Sequence, residues 1–194
     1  MNHPLREIRA DFDTESLIVY QAYNPEIAAA AVRAGRFGAG FKMERMTWIK
    51  PSFLWMMYRS GWAGKPGQER VLAIRITREG FEWALRHSAL SHFEPGVHAS
   101  AQEWRDGLVA PVRVQWDPER DLRSAPLPYR SLQVGLAGDA VRRYLDEWIV
   151  AVTDITGTVR TIREAPNPAE LLPVERSYPV PDDIAVALGM RGAA

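Results

Sequence analysis

The chain has no cysteine. Disulfides, thiolate metal sites and cysteine nucleophiles are therefore excluded. It has no apolar run near the roughly 20 residues that a membrane-spanning helix needs. Its opening, Met1-Asn-His-Pro-Leu-Arg-Glu-Ile-Arg9, carries no apolar signal core, so a cytoplasmic location is the expectation. There is no excess of either charge: 24 Lys and Arg face 24 Asp and Glu. That balance argues against bulk, non-specific nucleic-acid binding and leaves room for a local basic patch. Phosphate-loop, dinucleotide-fingerprint and Gly-x-Ser-x-Gly motifs are all missing, and Gly38-Ala39-Gly40 lacks the third glycine of a fingerprint. His87, His92 and His98 match no compact ligand spacing, so no metal is expected.

What is present is ordinary in bulk and unusual in one place. Apolar residues make up 46% of the chain and charged residues 25%, over 194 residues. This suits one domain over residues 1–194 with a real core. The unusual stretch is Arg45-Met-Thr-Trp-Ile-Lys-Pro-Ser-Phe-Leu-Trp-Met-Met-Tyr-Arg-Ser-Gly-Trp62, where three Trp, three Met, a Phe and a Tyr stand among cations. Apolar groups want burial, and each charge needs a partner or water. The segment reads as a core helix or as the wall of a ligand pocket. Trp48, Trp55 and Trp62 are seven residues apart, but Pro51 and Gly61 interrupt the stripe, so at least one could line a cleft.

Residues 17–23 are β-branched and aromatic and read as a strand. Asn24-Pro25 then starts a helix that stops at Gly35, and 36–44 reads as a mobile loop. A short strand at 46–49 leads to a helix over 51–59, with a strand over 53–58 as the alternative because six consecutive apolar or aromatic residues carry no clear period, and 70–76 is a strand followed by a helix capped by Thr77. Ser100 and Glu103 have capping-box spacing. Val112–Trp116 alternates as a strand, Asp117-Pro-Glu-Arg-Asp121 reads as a charged turn, and 130–135 as a short strand. The spacing of Val141, Tyr144, Leu145, Trp148, Ile149 and Val152 predicts a helix over 138–153. A short helix to about Glu164, a proline-rich surface arm over 165–182 and a small terminal helix follow. The fold class is α+β.

Four groups could carry chemistry. Lys50-Pro51-Ser52 at a helix start would make an anion site, with Arg45, Arg59 and Lys65 near enough in sequence to join; Ser52 could equally be a simple cap. Gln21 and Tyr23 share a strand face, one able to read a ribose or amide and the other to stack; that face could also be plain core. The carboxylates of 117–121 could act as acid and base, or merely shape a turn. Gln133 would need partners if buried.

Ile18-Val-Tyr-Gln-Ala-Tyr-Asn24, the 45–62 segment, Gln115-Trp-Asp-Pro-Glu-Arg-Asp121 and Arg130-Ser-Leu-Gln-Val-Gly-Leu136 resemble the bacterial and fungal domain-of-unknown-function family 4291. That resemblance implies no activity. The order of motifs more remotely resembles ADP-ribosyltransferases, including the branch that modifies DNA bases. It implies a mixed sheet with flanking helices and a cleft for NAD or a related nucleotide, with nucleic acid as one acceptor. Gln21, Tyr58 and Gln133 would then be catalytic, and Tyr23, Arg45, Lys50, Ser52 and Arg59 would bind the cofactor. Gln21 stands where that family carries His or Arg, and Gln133 where it carries Glu. A non-catalytic nucleotide or RNA-end module, or an interaction protein, are the alternatives. Oligomeric state is left open.

Overall fold

In the computed structural model, residues 3–38 and 40–190 are described. Ala39 of the Gly-Ala-Gly run lies outside them, as do Met1 and Asn2. The fold is α+β, built on two antiparallel-rich sheets. One sheet orders β2 (Ser16–Tyr23), β4 (Arg70–Thr77) and β8 (Ile149–Asp154). The other orders β3 (Thr47–Ile49), β7 (Pro126–Leu136), β6 (Val112–Arg120) and β5 (Ser88–Leu90), with β5 parallel to β6. A third, minimal sheet pairs β1 (Arg9–Ala10) with β9 (Arg176–Ser177).

β2 explains how the layers stack. Side chains alternate across a strand, and both faces of β2 are apolar and buried. Leu17 and Val19 enter the main core with Val112, Val114, Val134 and Leu136 of the second sheet. Ile18 and Tyr20 enter a smaller core with Phe53, Met56, Val159 and Ile162. Helices α2 (Phe53–Ser60) and α6 (Thr156–Glu164) supply that second layer.

The local rules hold at most helix ends. Asn24 accepts from the Ile27 N–H at the start of α1 (Pro25–Ala34), and Gly35 ends it at φ 67°. Thr77 caps α3 (Arg78–Arg86), and Ser100 caps α4 (Ala101–Gly107). Helix α2 begins two residues later than 51, because Ser52 is its cap and Pro51 lies outside it.

Two expectations fail. The predicted helix over 138–153 is three things: α5 (Asp139–Arg143), a wider π turn (Tyr144–Trp148), and strand β8. The helical spacing of Val141, Tyr144, Leu145 and Trp148 is real, and all four are buried. Ile149-Val-Ala-Val-Thr153 is β-branched, and it pairs with β4, Ile74 opposite Val152. Nor is 117–121 a turn. β6 runs on to Arg120 with a register shift after Pro118, and the turn comes at Asp121–Ser124. A bulge tolerates the proline that a regular ladder would not. The arm over 165–182 carries a short 3-10 turn (Pro168–Leu171) and β9, and α7 (Asp182–Ala187) closes the described chain.

Candidate functional site

A single bridge ties β2 to the end of β3: the Tyr20 N–H donates to the Lys50 carbonyl at 2.7 Å. Beyond it the two strands belong to different sheets. A cleft of about 650 Å³ lies there, between the end of β2 (Gln21–Asn24), the β3 segment (Arg45–Lys50), α2, and the β6–β7 pair. Cavities of this size suit small-molecule ligands.

Charge is one-sided in this cleft. Lys42, Arg45, Lys50 and Arg59 line it, and no Asp or Glu does. Among the described residues, none of the four makes an ion pair. Lys42, Arg45 and Arg59 are exposed at the rim. Lys50 is 5% exposed, at the floor. Its Nζ lies 4.9 Å from the centroid of the Trp55 ring and has no hydrogen-bond partner among the described residues. Burial, and then the Arg59 charge, bring its amine down to about 7; Asp117 pulls the other way.

The glutamines divide into two kinds. Gln21 is saturated. Its Nε2 donates toward Tyr23 Oη (3.0 Å), Thr47 Oγ1 (2.9 Å) and the Trp48 carbonyl (3.1 Å), and its Oε1 accepts from Tyr144 Oη (2.8 Å). Gln115 and Gln133 are cross-strand partners on β6 and β7. Both donate to one carboxylate, Asp117, at 2.8 and 2.6 Å. An ionised carboxylate only accepts, so both amide NH2 groups must turn to it. The two carbonyl oxygens are left without hydrogen-bond partners among the described residues, beside the cleft.

Of the residues expected to act, the structure brings Gln21, Tyr23, Arg45, Lys50, Arg59 and Gln133 around one cavity. Two are elsewhere. Tyr58 is on the outer face of α2, 37% exposed, with the Arg120 guanidinium 3.8 Å from its ring centroid. It does not line the cleft: its ring packs edge-on against Trp55, which does, with centroids 6.3 Å apart. Ser52 also faces away. Its Oγ accepts from the Trp55 N–H and donates to Glu119 (3.0 Å), while the Phe53 N–H donates to Glu175 (2.6 Å). The anion site expected at the start of α2 is therefore filled by the protein's own groups. Burial pushes the Glu175 carboxyl up to about 8, and that of Glu119 upward also.

Several lining groups escaped sequence reasoning: Lys42, Gln68, Gln115 and Phe41. Gln115 and Asp117 share a strand face by alternation, and a longer β6 would have revealed them. The others sit on loops and give no local signal. Trp48 and Trp55 both reach the cleft, while Trp62 packs on the smaller core.

Among the described residues, no helix is long and apolar enough to cross a membrane. No group of three or more His, Asp or Glu among them is placed to hold a metal ion. A family model described as Domain of unknown function (DUF4291) matches residues 7–180. No curated protein matches the chain.

Proposed function

The chain belongs to the DUF4291 family, and from the cleft itself we propose that it binds a phosphate-bearing nucleotide, NAD or a close relative. The observation that carries this reading is the set of four cations around one cavity that make no ion pair among the described residues. Cations gathered around one cavity without ion-pair partners repel one another, and a ligand phosphate would relieve that repulsion and accept charge-assisted hydrogen bonds. Trp48, Tyr23 and Phe41 offer aromatic surfaces for a base or nicotinamide ring.

Binding is better supported than transfer of the ADP-ribosyltransferase kind. Such transfer needs negative charge at a developing oxocarbenium centre. Gln133 is neutral, and the nearby Asp117 already holds two amides. An acceptor, nucleic acid included, would follow only from turnover.

A direct test compares NAD with a nucleoside lacking phosphate, by calorimetry at low salt. NAD should bind at least about tenfold more tightly, the worth of one charge-assisted hydrogen bond. Equal affinity for the two would remove the phosphate from the account.

A further inference from the structure

Of the 24 basic Lys and Arg side chains, only three are lysines: Lys42, Lys50 and Lys65. Everywhere else this chain uses arginine for positive charge. Arginine would hold a phosphate at least as well, through its planar fork. What it cannot do is lose a proton and become a nucleophile. The buried position at the cleft floor is nevertheless a lysine.

Its surroundings suit an amine more than an ammonium. Lys50 is 5% exposed, and its Nζ has no hydrogen bond or ion pair among the described residues. One neighbour is the face of Trp55, and another cation, Arg59, shares the cavity. The Trp55 face and Asp117 favour the charged form, but desolvation by burial and the like charge of Arg59 outweigh them and disfavour protonation, which is how lysine nucleophiles are activated. The amine sits near 7 by these two causes. A sizeable neutral fraction therefore exists at neutral pH.

We propose that Lys50 is an imine-forming amine, and that the cleft takes a phosphate-bearing aldehyde, the open-chain form of a sugar phosphate. This rests on the reading that the cleft receives phosphates. The rim cations Lys42, Arg45 and Arg59 would hold the phosphate, which frees Lys50 for the carbonyl. The unpartnered carbonyl oxygens of Gln115 and Gln133 would accept from sugar hydroxyls. The Nζ lone pair attacks the carbonyl carbon, and the C=O π pair moves to oxygen. A proton passes from nitrogen to that oxygen, giving a carbinolamine. The oxygen takes a second proton and leaves as water, and the iminium remains. No oxidant or reductant is required.

The chemistry could come from a free sugar phosphate or from an abasic sugar within a nucleic-acid strand. The test uses both probes. Wild-type protein is incubated with ribose 5-phosphate, or with an oligonucleotide carrying one abasic site, in the presence of cyanoborohydride. A reduced imine adds the mass of the probe less one oxygen atom. Peptide mapping then assigns it among three lysines and the N-terminal amine. We expect one adduct, at Lys50, from at least one probe, with a yield that rises with pH through about 7. The probe that reacts identifies the source. Lys50→Arg should abolish the adduct, with the fold checked by circular dichroism. No adduct from either probe, or label spread evenly over Lys42, Lys65 and the N-terminus, overturns the proposal. Calorimetry with NAD on the same wild-type sample separates this failure from failure of the nucleotide reading.

Discussion

Both ends of the Gln21 amide are bound inside the protein, to Tyr23, Thr47, Trp48 and Tyr144. A residue so engaged positions its neighbours rather than reacting. It holds Tyr23 and the Thr47–Trp48 wall at the cleft and satisfies the fully buried Tyr144 hydroxyl. Burial raises Tyr144, and it raises Tyr23 to about 12, so both stay neutral as hydrogen-bonding phenols. Gln21→Ala would leave the Tyr144 hydroxyl without its acceptor. We expect a stability loss of about 1–3 kcal/mol by urea denaturation. Unchanged stability would mean that the network is dispensable. Lys50 is the opposite case: it is buried, and its Nζ has no hydrogen bond or ion pair among the described residues. Nothing in Ile49-Lys50-Pro51 reveals that burial, since the same three residues suit an exposed turn.

Among the elements, the arm lies outside the cleft and the β7 strand forms part of its wall. The arm carries Glu175 to the first N–H of α2, at Phe53. This carboxyl is pushed from 4.5 to about 8 by burial, with Glu119 adding to the effect. Between those values the folded chain keeps a proton that the unfolded chain has released. The stabilisation is present below about 4.5 and is lost as pH rises through about 8. Its steepest slope is about 1.4 kcal/mol per pH unit. Lys50, lowered to about 7, works with the opposite sign: its penalty is relieved as pH rises above 7 toward its ordinary 10.5. Unfolding by urea between pH 5 and 7 therefore separates the buried carboxyls Glu175 and Glu119 from Lys50. Glu175→Gln should flatten the fall in stability there, and an unaltered profile would assign it to other groups.

On β7, Gly135 lies where a Cβ would come within 2.6 Å of Met46 Sδ and 3.0 Å of the Trp48 ring. Both of those side chains line the cleft. Gly135→Ala should cost about 1–3 kcal/mol by overpacking and should weaken nucleotide binding in parallel. Full stability and full affinity in that variant would show that the wall yields freely.

These elements were unequally legible in the sequence. Asn24-Pro25, Gly35 and Thr77 mark their boundaries by chemistry that acts within one turn. Trp148 and Ile149 adjoin in one apolar pattern, yet one ends a π turn and the next begins a strand. That boundary depends on β4, far earlier in the chain, whose Ile76 pairs with Ile149. Likewise the carboxylates of 117–121 looked like a turn. Only the pairing of β6 with β7 sets Asp117 beside Gln133.

For the whole molecule, a net charge of zero hides a strongly uneven distribution. Arginines outside the cleft are often paired with carboxylates, as Arg6 is with Glu94, Arg70 with Asp154 and Arg143 with Asp139. The cleft's four cations are not. Two sheets joined by the Tyr20–Lys50 bridge leave space there, and the bridge itself fixes Lys50 at the floor. The central claim is that this unpaired charge exists for a ligand's phosphate. Its most direct test is calorimetric titration of wild type and Arg59→Ala with NAD at low salt. The account predicts binding to wild type, weakened by about 1.5–3 kcal/mol in the variant, the cost of one charge-assisted bond. No binding to wild type, or equal binding to both, would contradict it.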